Sequence, residues 1–225
     1  MLTVSFCQPK GGVGKTTLAF LVGSALSQMG LDTALFDLDR EAPFLTRTML
    51  RRGEVLDETH MPRLERLEAL GEVASRYRAL LFDVPGGLPD KTLLEYTQVL
   101  VIPVTHSSES IEMAEALIDR YVEIKGEDIR RRRRGVVLVP TMANASAVQT
   151  RTERHAKELL SGLSFPGVVS PPVYWREAIR LYMERGLSPW EAVNLGLADS
   201  RDADSAAKTY AEIEAVCNAI GQVLS

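Results

Sequence analysis

The chain has 225 residues, of which 45% are hydrophobic and 25% are charged, so its composition is that of a globular protein rather than a disordered one. Its formal net charge of −4 excludes a polycation that coats nucleic acid over its whole surface, and any such binding requires a local basic patch. Cys7 and Cys217 form no Cys-x-x-Cys pair, which argues against zinc or iron–sulfur ligation and favours a reduced cytoplasmic protein.

Short apolar runs alternate with helical segments along the whole chain. Successive residues within these runs are apolar, as in strands that are buried on both faces of a parallel sheet. The alternation predicts a single α/β domain over residues 1–225, with a mostly parallel twisted sheet and helices on both faces. The predicted strands are 2–7, 33–38, 79–84, 98–104, 135–140 and 166–169, and the predicted helices are 16–29, 62–76, 108–124, 149–162, 175–185 and 204–223.

A glycine-rich loop lies between the first predicted strand and the first predicted helix. It reads Lys10-Gly11-Gly12-Val13-Gly14-Lys15-Thr16-Thr17, and its glycines allow several backbone N–H groups to point at phosphate oxygens. The helix that follows adds the positive end of its dipole. In such a loop Lys15 reaches the β- and γ-phosphates, the Thr16 hydroxyl ligates Mg²⁺, and Thr17 lies near the α-phosphate. The sequence therefore predicts a site for ATP and Mg²⁺.

Position 10 distinguishes this loop from the general phosphate-loop pattern, because a lysine directly precedes the paired glycines and position 9 is Pro9. This order resembles the deviant Walker A signature of the ParA/MinD superfamily of ATPases. The resemblance continues at 34–39, which is similar to the family's second motif, and at 77–87, which is similar to its Walker B strand and the switch after it. It spans the chain and is closest to the small plasmid-partition type often called ParF.

The resemblance implies roles for individual residues. Lys10 is expected to reach across an ATP-sandwiched homodimer to the partner's nucleotide and to offset negative charge on the transferred phosphoryl group, as an arginine finger does. Asp39 is expected to position the attacking water, so that Lys10, Lys15 and Asp39 are the catalytic residues. Asp83 is expected to hold Mg²⁺ through water, and Gly86 to let the switch loop close on the γ-phosphate.

Other interpretations of the aspartates remain open. Asp37 and Asp39 are two residues apart, so they face the same side of a strand, and either could cap a following turn. Arg40-Glu41 stands where the family usually has Pro-Gln, which leaves the rate of hydrolysis open but not nucleotide binding. The resemblance places the adenine contacts in loops after the later strands, near residues 141–142 and 171–172.

The resemblance also implies that the protein cycles slowly between two states, one formed when ATP binds and the other restored when ATP is hydrolysed. No helix-turn-helix domain is expected before the first strand, so the expected DNA binding is non-specific, by the ATP dimer on the nucleoid, and a centromere-binding ParB- or ParG-like partner would stimulate hydrolysis. Residues 209–224 form an amphipathic segment without Lys or Arg, so no membrane partner is expected. The candidate DNA contacts are Arg151, Arg154, Arg176, Arg180, Arg201 and Lys208, and the run 130–134 is either a further contact or a solvated loop.

Two alternative functions fit the same motifs. The same ATPase could position a protein cargo, such as a chemoreceptor cluster, instead of plasmid or chromosomal DNA. A metabolic ligase or synthase of the same fold could also use the phosphate loop, although Lys10 has no evident task in such an enzyme. A redox ATPase of the nitrogenase iron-protein type is disfavoured, because it needs a cysteine pair to ligate its cluster.

Overall fold

The parallel sheet that the sequence predicts is present. The computed structural model describes residues 1–56, 62–126, 135–143, 154–156, 158, 161 and 167–224. The strands run in the order β3-β2-β4-β1-β5-β6-β7, β8 pairs with β6, and every described pairing is parallel. The strands are β1 (Leu2–Phe6), β2 (Thr33–Asp37), β3 (Arg63–Glu65), β4 (Ala79–Asp83), β5 (Val99–Val104), β6 (Gly135–Ala143), β7 (Gly167–Val169) and β8 (Val173–Tyr174).

The predicted helices are confirmed in part. Those at 16–29, 108–124, 175–185 and 204–223 are present with shifted ends, and residues 154–156, 158 and 161 are helical within the predicted 149–162, whose other residues lie outside the described part. The described helices are α1 (Lys15–Gln28), α2 (Phe44–Gly53), α3 (Leu70–Val73), α4 (Lys91–Tyr96), α5 (Ser108–Lys125), α6 (Glu177–Met183), α7 (Pro189–Asn194) and α8 (Ser200–Gln222).

The prediction of one helix over 62–76 is wrong. Arg63–Glu65 instead pairs with Ala34–Phe36 as the edge strand β3, and the residues after it form short 3₁₀ and α turns at 67–76. Pairing with the open edge of β2 satisfies backbone groups that a helix would have paired internally. The short helices α2, α4 and α7 and the strand β8 were not predicted.

Neighbouring residues on each strand belong to opposite faces of the sheet. Leu35 packs in the core that contains α1 and α8, whereas Phe36 packs against Phe82, with ring centroids 5.0 Å apart, in the core that contains α5. The helix α1 is buried almost all round because α8 covers the side that faces away from the sheet. The segment 209–224 therefore packs on the core, and none of the described helices combines the length and hydrophobicity that a bilayer span requires.

A buried arginine joins α2 to the turn between α6 and α7. The Arg52 side chain is 1% exposed, donates from Nη1 to Glu191 Oε2 at 2.8 Å and to the carbonyl of Gly186 at 3.2 Å, and pairs through Nη2 with the other oxygen of Glu191. Gly186 has a φ of 77°, and a Cβ there would lie 2.2 Å from the backbone nitrogen of Arg52. Both the backbone conformation and the close approach therefore require glycine.

We predict that Gly186→Ala lowers the free energy of unfolding by more than about 3 kcal/mol, because the added methyl group forces α2 away from the α6–α7 turn. Gly196→Ala is the matched control. Its φ is 69°, but a Cβ there meets nothing within 4 Å, so only the strain of the left-handed conformation, about 1–2 kcal/mol, is expected. Denaturant unfolding of the two variants measures the difference, and equal losses would contradict the packing argument.

Candidate functional site

The carboxyl ends of three adjacent strands bring most of the predicted site residues to one edge of the sheet. β4 lies between β1 and β2, so the segments that follow these three strands converge. Together with Trp175, which follows β8, they surround an open cleft of about 340 Å³. Its described lining is Gly11, Gly12, Val13, Gly14, Lys15, Thr16, Thr17, Asp39, Asp83, Val84, Pro85, Gly86 and Trp175. Ligands of open parallel sheets bind at this edge.

The loop before α1 presents its backbone to this cleft. Gly12 and Gly14 have φ values of 70° and 95°, a region that other residues rarely adopt, so the path of the loop depends on glycine at both positions. Gly14 is the residue before α1, no side chain caps the helix there, and the first helical bond runs from the Leu18 N–H to the Gly14 carbonyl. The first amides of α1 are therefore available to an anion.

The side chain of Lys15 is held inside the phosphate loop. Its side-chain amine is 2.9 Å from the carbonyl of Gln8 and 3.1 Å from the carbonyl of Lys10, and the residue is 9% exposed. Burial lowers the pKa of the amine, and the nearby Asp83 carboxylate opposes that shift. The loop thus holds the cation in place at the cleft, where a phosphate can replace the carbonyl oxygens as its partner.

Asp83 and Thr16 fit a hydrated Mg²⁺. Burial raises the pKa of Asp83 to about 7, while a hydrogen bond from the Thr16 hydroxyl and the charge of Lys15 lower it. Asp83 Oδ1 is buried without a hydrogen-bond partner in the described part of the chain. A carboxylate and a hydroxyl at the mouth of a phosphate loop are the ligands that Mg²⁺ takes in such sites, and a divalent cation would offset the cost of the buried charge.

Asp37, the last residue of β2, and Asp39, two residues further on, make different contacts. Asp37 Oδ2 accepts from the Thr46 amide at 2.8 Å and from its hydroxyl at 2.9 Å, so Asp37 anchors the start of α2. Asp39 lines the cleft, and its Oδ1 accepts from the amides of Glu41 and Ala42 at 3.2 and 2.9 Å. Asp39 therefore caps a turn that holds its carboxylate at the cleft, and its action on the attacking water stays a prediction.

The switch segment after β4 contacts the phosphate loop directly. Gly86 lines the cleft, and a Cβ on it would lie 3.4 Å from the carbonyl of Pro9. The Gly87 amide donates to the same carbonyl at 3.1 Å, with a φ of 104° at Gly87. A movement of the loop that carries Pro9 therefore also moves the carbonyl oxygen to which the Gly87 amide of the switch segment is bonded.

Lys10 points away from the cleft that Lys15 serves. Its amine is 3.0 Å from Ser107 Oγ and 2.5 Å from Glu109 Oε2, both at the start of α5 in the same subunit. The side chain of Lys10 is 28% exposed. Its action on the nucleotide of a partner subunit stays a prediction, and Glu109 is a neighbour that sequence reasoning missed.

Trp175 is a second residue that the sequence did not single out. It follows β8, is 47% exposed, and lines both the cleft and an adjoining apolar hollow beside Thr17 and Thr141. The hydroxyl of Thr141, which lines the hollow, donates to the Val13 carbonyl at 2.8 Å and so links the hollow to the phosphate loop. The sequence did contain a signal for this residue, because a tryptophan lies three residues after Pro172, near the predicted contacts to the base.

The basic residues predicted to contact DNA are not equally available. Arg176 pairs with Glu212 through both guanidinium nitrogens, with side chains only 17% and 15% exposed, and Arg180 pairs with Glu177 and Glu184. Lys208 pairs with Asp204 at 2.6 Å. Arg201 is 93% exposed, Arg154 is exposed, and both Arg151 and the run 130–134 lie outside the described residues.

Comparison with known proteins gives a consistent result. The model of a family described as the CobQ/CobB/MinD/ParA nucleotide binding domain matches residues 4–190. The virC1 protein of Rhizobium radiobacter is 28% identical over 211 residues, which cover 87% of this chain and 86% of that protein. Apo McdA of Cyanothece has a similar fold, with a TM-score of 0.69 and 15% identity over 98% of this chain and 100% of that one. A Borrelia burgdorferi B31 protein assigned to plasmid partition, bound to AMPPNP, gives a TM-score of 0.62 at 15% identity, with 95% and 98% covered.

We predict that Asp83→Asn stabilises the ligand-free protein much more at pH 8 than at pH 5. The folded-state pKa of Asp83 is raised from 3.8 to about 7, so the stability that the protonated form contributes is fully present below 3.8, falls as the pH rises between these two values, and is lost above about 7. Asparagine removes the buried charge, and its melting temperature at pH 8 should rise by on the order of 5 °C. Asp119→Asn, an exposed position on α5, is the control. Equal melting of Asp83→Asn and the wild type at pH 8 would contradict the buried charge.

Proposed function

Since the chain belongs to the family of CobQ/CobB/MinD/ParA nucleotide-binding domains, we propose that it is a partition ATPase that pairs around ATP and segregates plasmid or chromosomal DNA. In the paired state it binds DNA without sequence preference, and a centromere-binding partner stimulates hydrolysis and returns it to single subunits. The plasmid-partition assignment of the Borrelia protein, which has a similar fold and was solved with AMPPNP, supports this proposal.

The observation that carries the proposal is the arrangement of two lysines on one loop. Lys15 lies within the cradle, bound to the loop's own carbonyls, whereas Lys10 extends to the outer side of the loop beside α5. A single nucleotide in the cleft uses Lys15 and leaves Lys10 without a phosphate. A second subunit that faces the cleft gives Lys10 a phosphate to bind, which is the function that the family's signature implies.

Different residues of the chain act in different parts of ATP hydrolysis. The amides at the start of α1 and the amine of Lys15 hold the phosphates, and Thr16 and Asp83 would hold Mg²⁺, which supplies positive charge for the β- and γ-oxygens. Asp39, fixed by its turn, orients the attacking water. Lys10 of the facing subunit offsets the charge that develops on the transferred group. Turnover is slow because the site is complete only when two subunits meet.

The base of the nucleotide lies against the wall that Trp175 forms. An apolar hollow adjoins the phosphate cleft on the side of Thr17, where the α-phosphate is expected. The exposed indole offers a flat surface for stacking, and Val13 and Ile179 line the hollow beside it.

The DNA-binding surface includes Arg201 and Arg154. Both residues are exposed in the described part of the chain, and Arg201, at 93% exposure, lies 3.9 Å from Asp199 Oδ2. Arg180 and Lys208 are also exposed but form closer ion pairs with neighbouring carboxylates, and Arg176 is engaged within the fold. Pairing doubles the number of phosphate contacts, and contacts to phosphates add, so the dimer binds DNA much more tightly than one subunit. ATP therefore controls attachment to the nucleoid.

We predict opposite effects of two substitutions on the size of the protein with ATP. Asp39→Ala should trap a dimer, because hydrolysis falls by about 10²-fold or more while ATP still binds. Lys10→Ala should stay monomeric and lose about 10³-fold in hydrolysis, by analogy with an arginine finger. Light scattering after size exclusion, together with phosphate release, measures both properties. Normal turnover by Lys10→Ala, or a monomeric wild type that converts a small acid with ATP, would refute the proposal.

We predict that DNA binding requires ATP and weakens steeply with salt. Arg201→Ala should reduce the slope of log K against log [salt] by about 1–2 for the dimer, because each subunit loses one phosphate contact. Arg78→Ala is the control, since Arg78 is exposed at the amino end of β4, opposite the cleft. Fluorescence anisotropy with duplexes of unrelated sequence gives the slopes. Equal binding with ATP and with ADP would exclude the ATP-controlled attachment.

A further inference from the structure

The signature lysine has partners inside its own subunit. Lys10 lies 2.5 Å from Glu109 Oε2 and 3.0 Å from Ser107 Oγ, and no nucleotide role has been assigned to either residue. The side chain of Glu109 is 60% exposed and that of Lys10 is 28% exposed, so the pair lies at the surface beside the cleft. A second subunit that approaches the cleft would meet it there.

The first turn of α5 holds these partners in place. Ser107 caps α5, with its Oγ accepting from the Ser110 amide at 3.2 Å, and Glu109 lies in the first turn, where the helix dipole favours a negative charge. Gln8 donates from Nε2 to the carbonyls of Ser110 and Pro103 at 3.1 and 3.2 Å, and so joins the segment before Lys10 to the same turn. The two sides of the ion pair therefore belong to one fixed unit.

We infer that Glu109, with Ser107, is a positioning residue that holds Lys10 within its own subunit, and that pairing around ATP must exchange Glu109 for the partner's triphosphate. The inference rests on the proposed ATP dimer. In the single subunit the amine of Lys10 contacts the first turn of α5, and Lys10 is not among the residues that line its own cleft. Assembly then selects for ATP, because a triphosphate carries enough negative charge to compete with a carboxylate that is already bound.

The size of the effect follows from the exposure of the pair. An exposed ion pair changes an equilibrium constant by about twofold to fivefold. Because a dimer with two crossing lysines must break two such pairs, the effects multiply to about 4-fold to 25-fold in the dimerisation constant. Removal of the carboxylate should therefore favour the dimer even though an ion pair has been lost.

The first test measures dimerisation of Glu109→Gln with AMPPNP, which is not hydrolysed. We expect half-dimerisation at a protein concentration about 4-fold to 25-fold below that of the wild type, by analytical ultracentrifugation. Glu115→Gln is the matched control, because it removes the same charge from an exposed position on the same helix. It should behave as the wild type does.

The second test measures the ion pair between Lys10 and Glu109 in the single subunit, without nucleotide. The acylation rate of each lysine is measured by mass spectrometry after brief exposure to an N-hydroxysuccinimide ester. Lys10 should react faster in Glu109→Gln than in the wild type or Glu115→Gln, because its amine has lost its carboxylate partner. Lys91 and Lys208, on other helices, serve as internal references in the same digests.

The outcomes separate this inference from the proposed function. Unchanged acylation of Lys10 would show that Glu109 does not hold it, and faster acylation with unchanged or weaker dimerisation would show that the pair does not oppose assembly. Either result overturns the inference while the wild-type dimer stands. A wild type that never pairs with AMPPNP would refute the proposed function, and with it the exchange of partners.

Discussion

The unpaired amides at the amino end of α1 are the constraint on which the rest of the structure depends. A helix start without a side-chain cap leaves donors unsatisfied, and here Gly14, in the left-handed conformation, turns the chain into the helix without supplying a cap. The same helix is buried between the sheet and α8 along most of its length, which fixes the position of its amino end. Burial of the helix therefore supports a phosphate site, because it fixes the position of donors that only an anion or water can satisfy.

The charges around these donors compensate one another before any ligand arrives. Burial lowers the pKa of Lys15 and raises that of Asp83, and each group's charge opposes the shift of the other. The loop supplies the carbonyls of Gln8 and Lys10 to the lysine, whereas Asp83 Oδ1 has no such partner in the described residues. The unliganded site thus has a satisfied cation and an incompletely satisfied carboxyl group. This difference favours the arrival of a phosphate together with a divalent cation rather than of phosphate alone.

The sequence predicted the elements whose signals are local. The strands β2, β4 and β5 are built on runs of apolar residues, β1 alternates apolar residues with Thr3 and Ser5, and the loop 10–17 has a glycine pattern with a direct physical meaning. By contrast, β3 exists because β2 offers it an edge, and such pairing between distant segments leaves little trace in three residues. The helix α7 did carry a signal, since Ser188 and Glu191 form a capping box around Pro189, but its six residues are too few for periodicity to show.

The site shows the same limit of sequence reasoning. The residues of the loop were identified from their spacing, and Asp39, Asp83 and Gly86 near the strand ends from the resemblance to the family. Glu109 and Trp175 contact the site from α5 and from beyond β8, and only the fold brings them there. The pairing of Arg176 with Glu212, 36 residues further along the chain, was likewise invisible, although it decides whether the arginine is available to DNA.

The two lysines of the loop are linked through one peptide unit. The carbonyl of Lys10 accepts from the amine of Lys15, while the side chain of Lys10 reaches Glu109 on the outer side. A phosphate that draws the Lys15 amine into the cleft removes one of the bonds that fix the backbone of Lys10. In the proposed dimer, loading of one nucleotide would thus loosen the residue whose side chain is proposed to cross to the other nucleotide. On this view the glycines do more than admit phosphate, because they let a change at the inner lysine reach the outer one within five residues of chain.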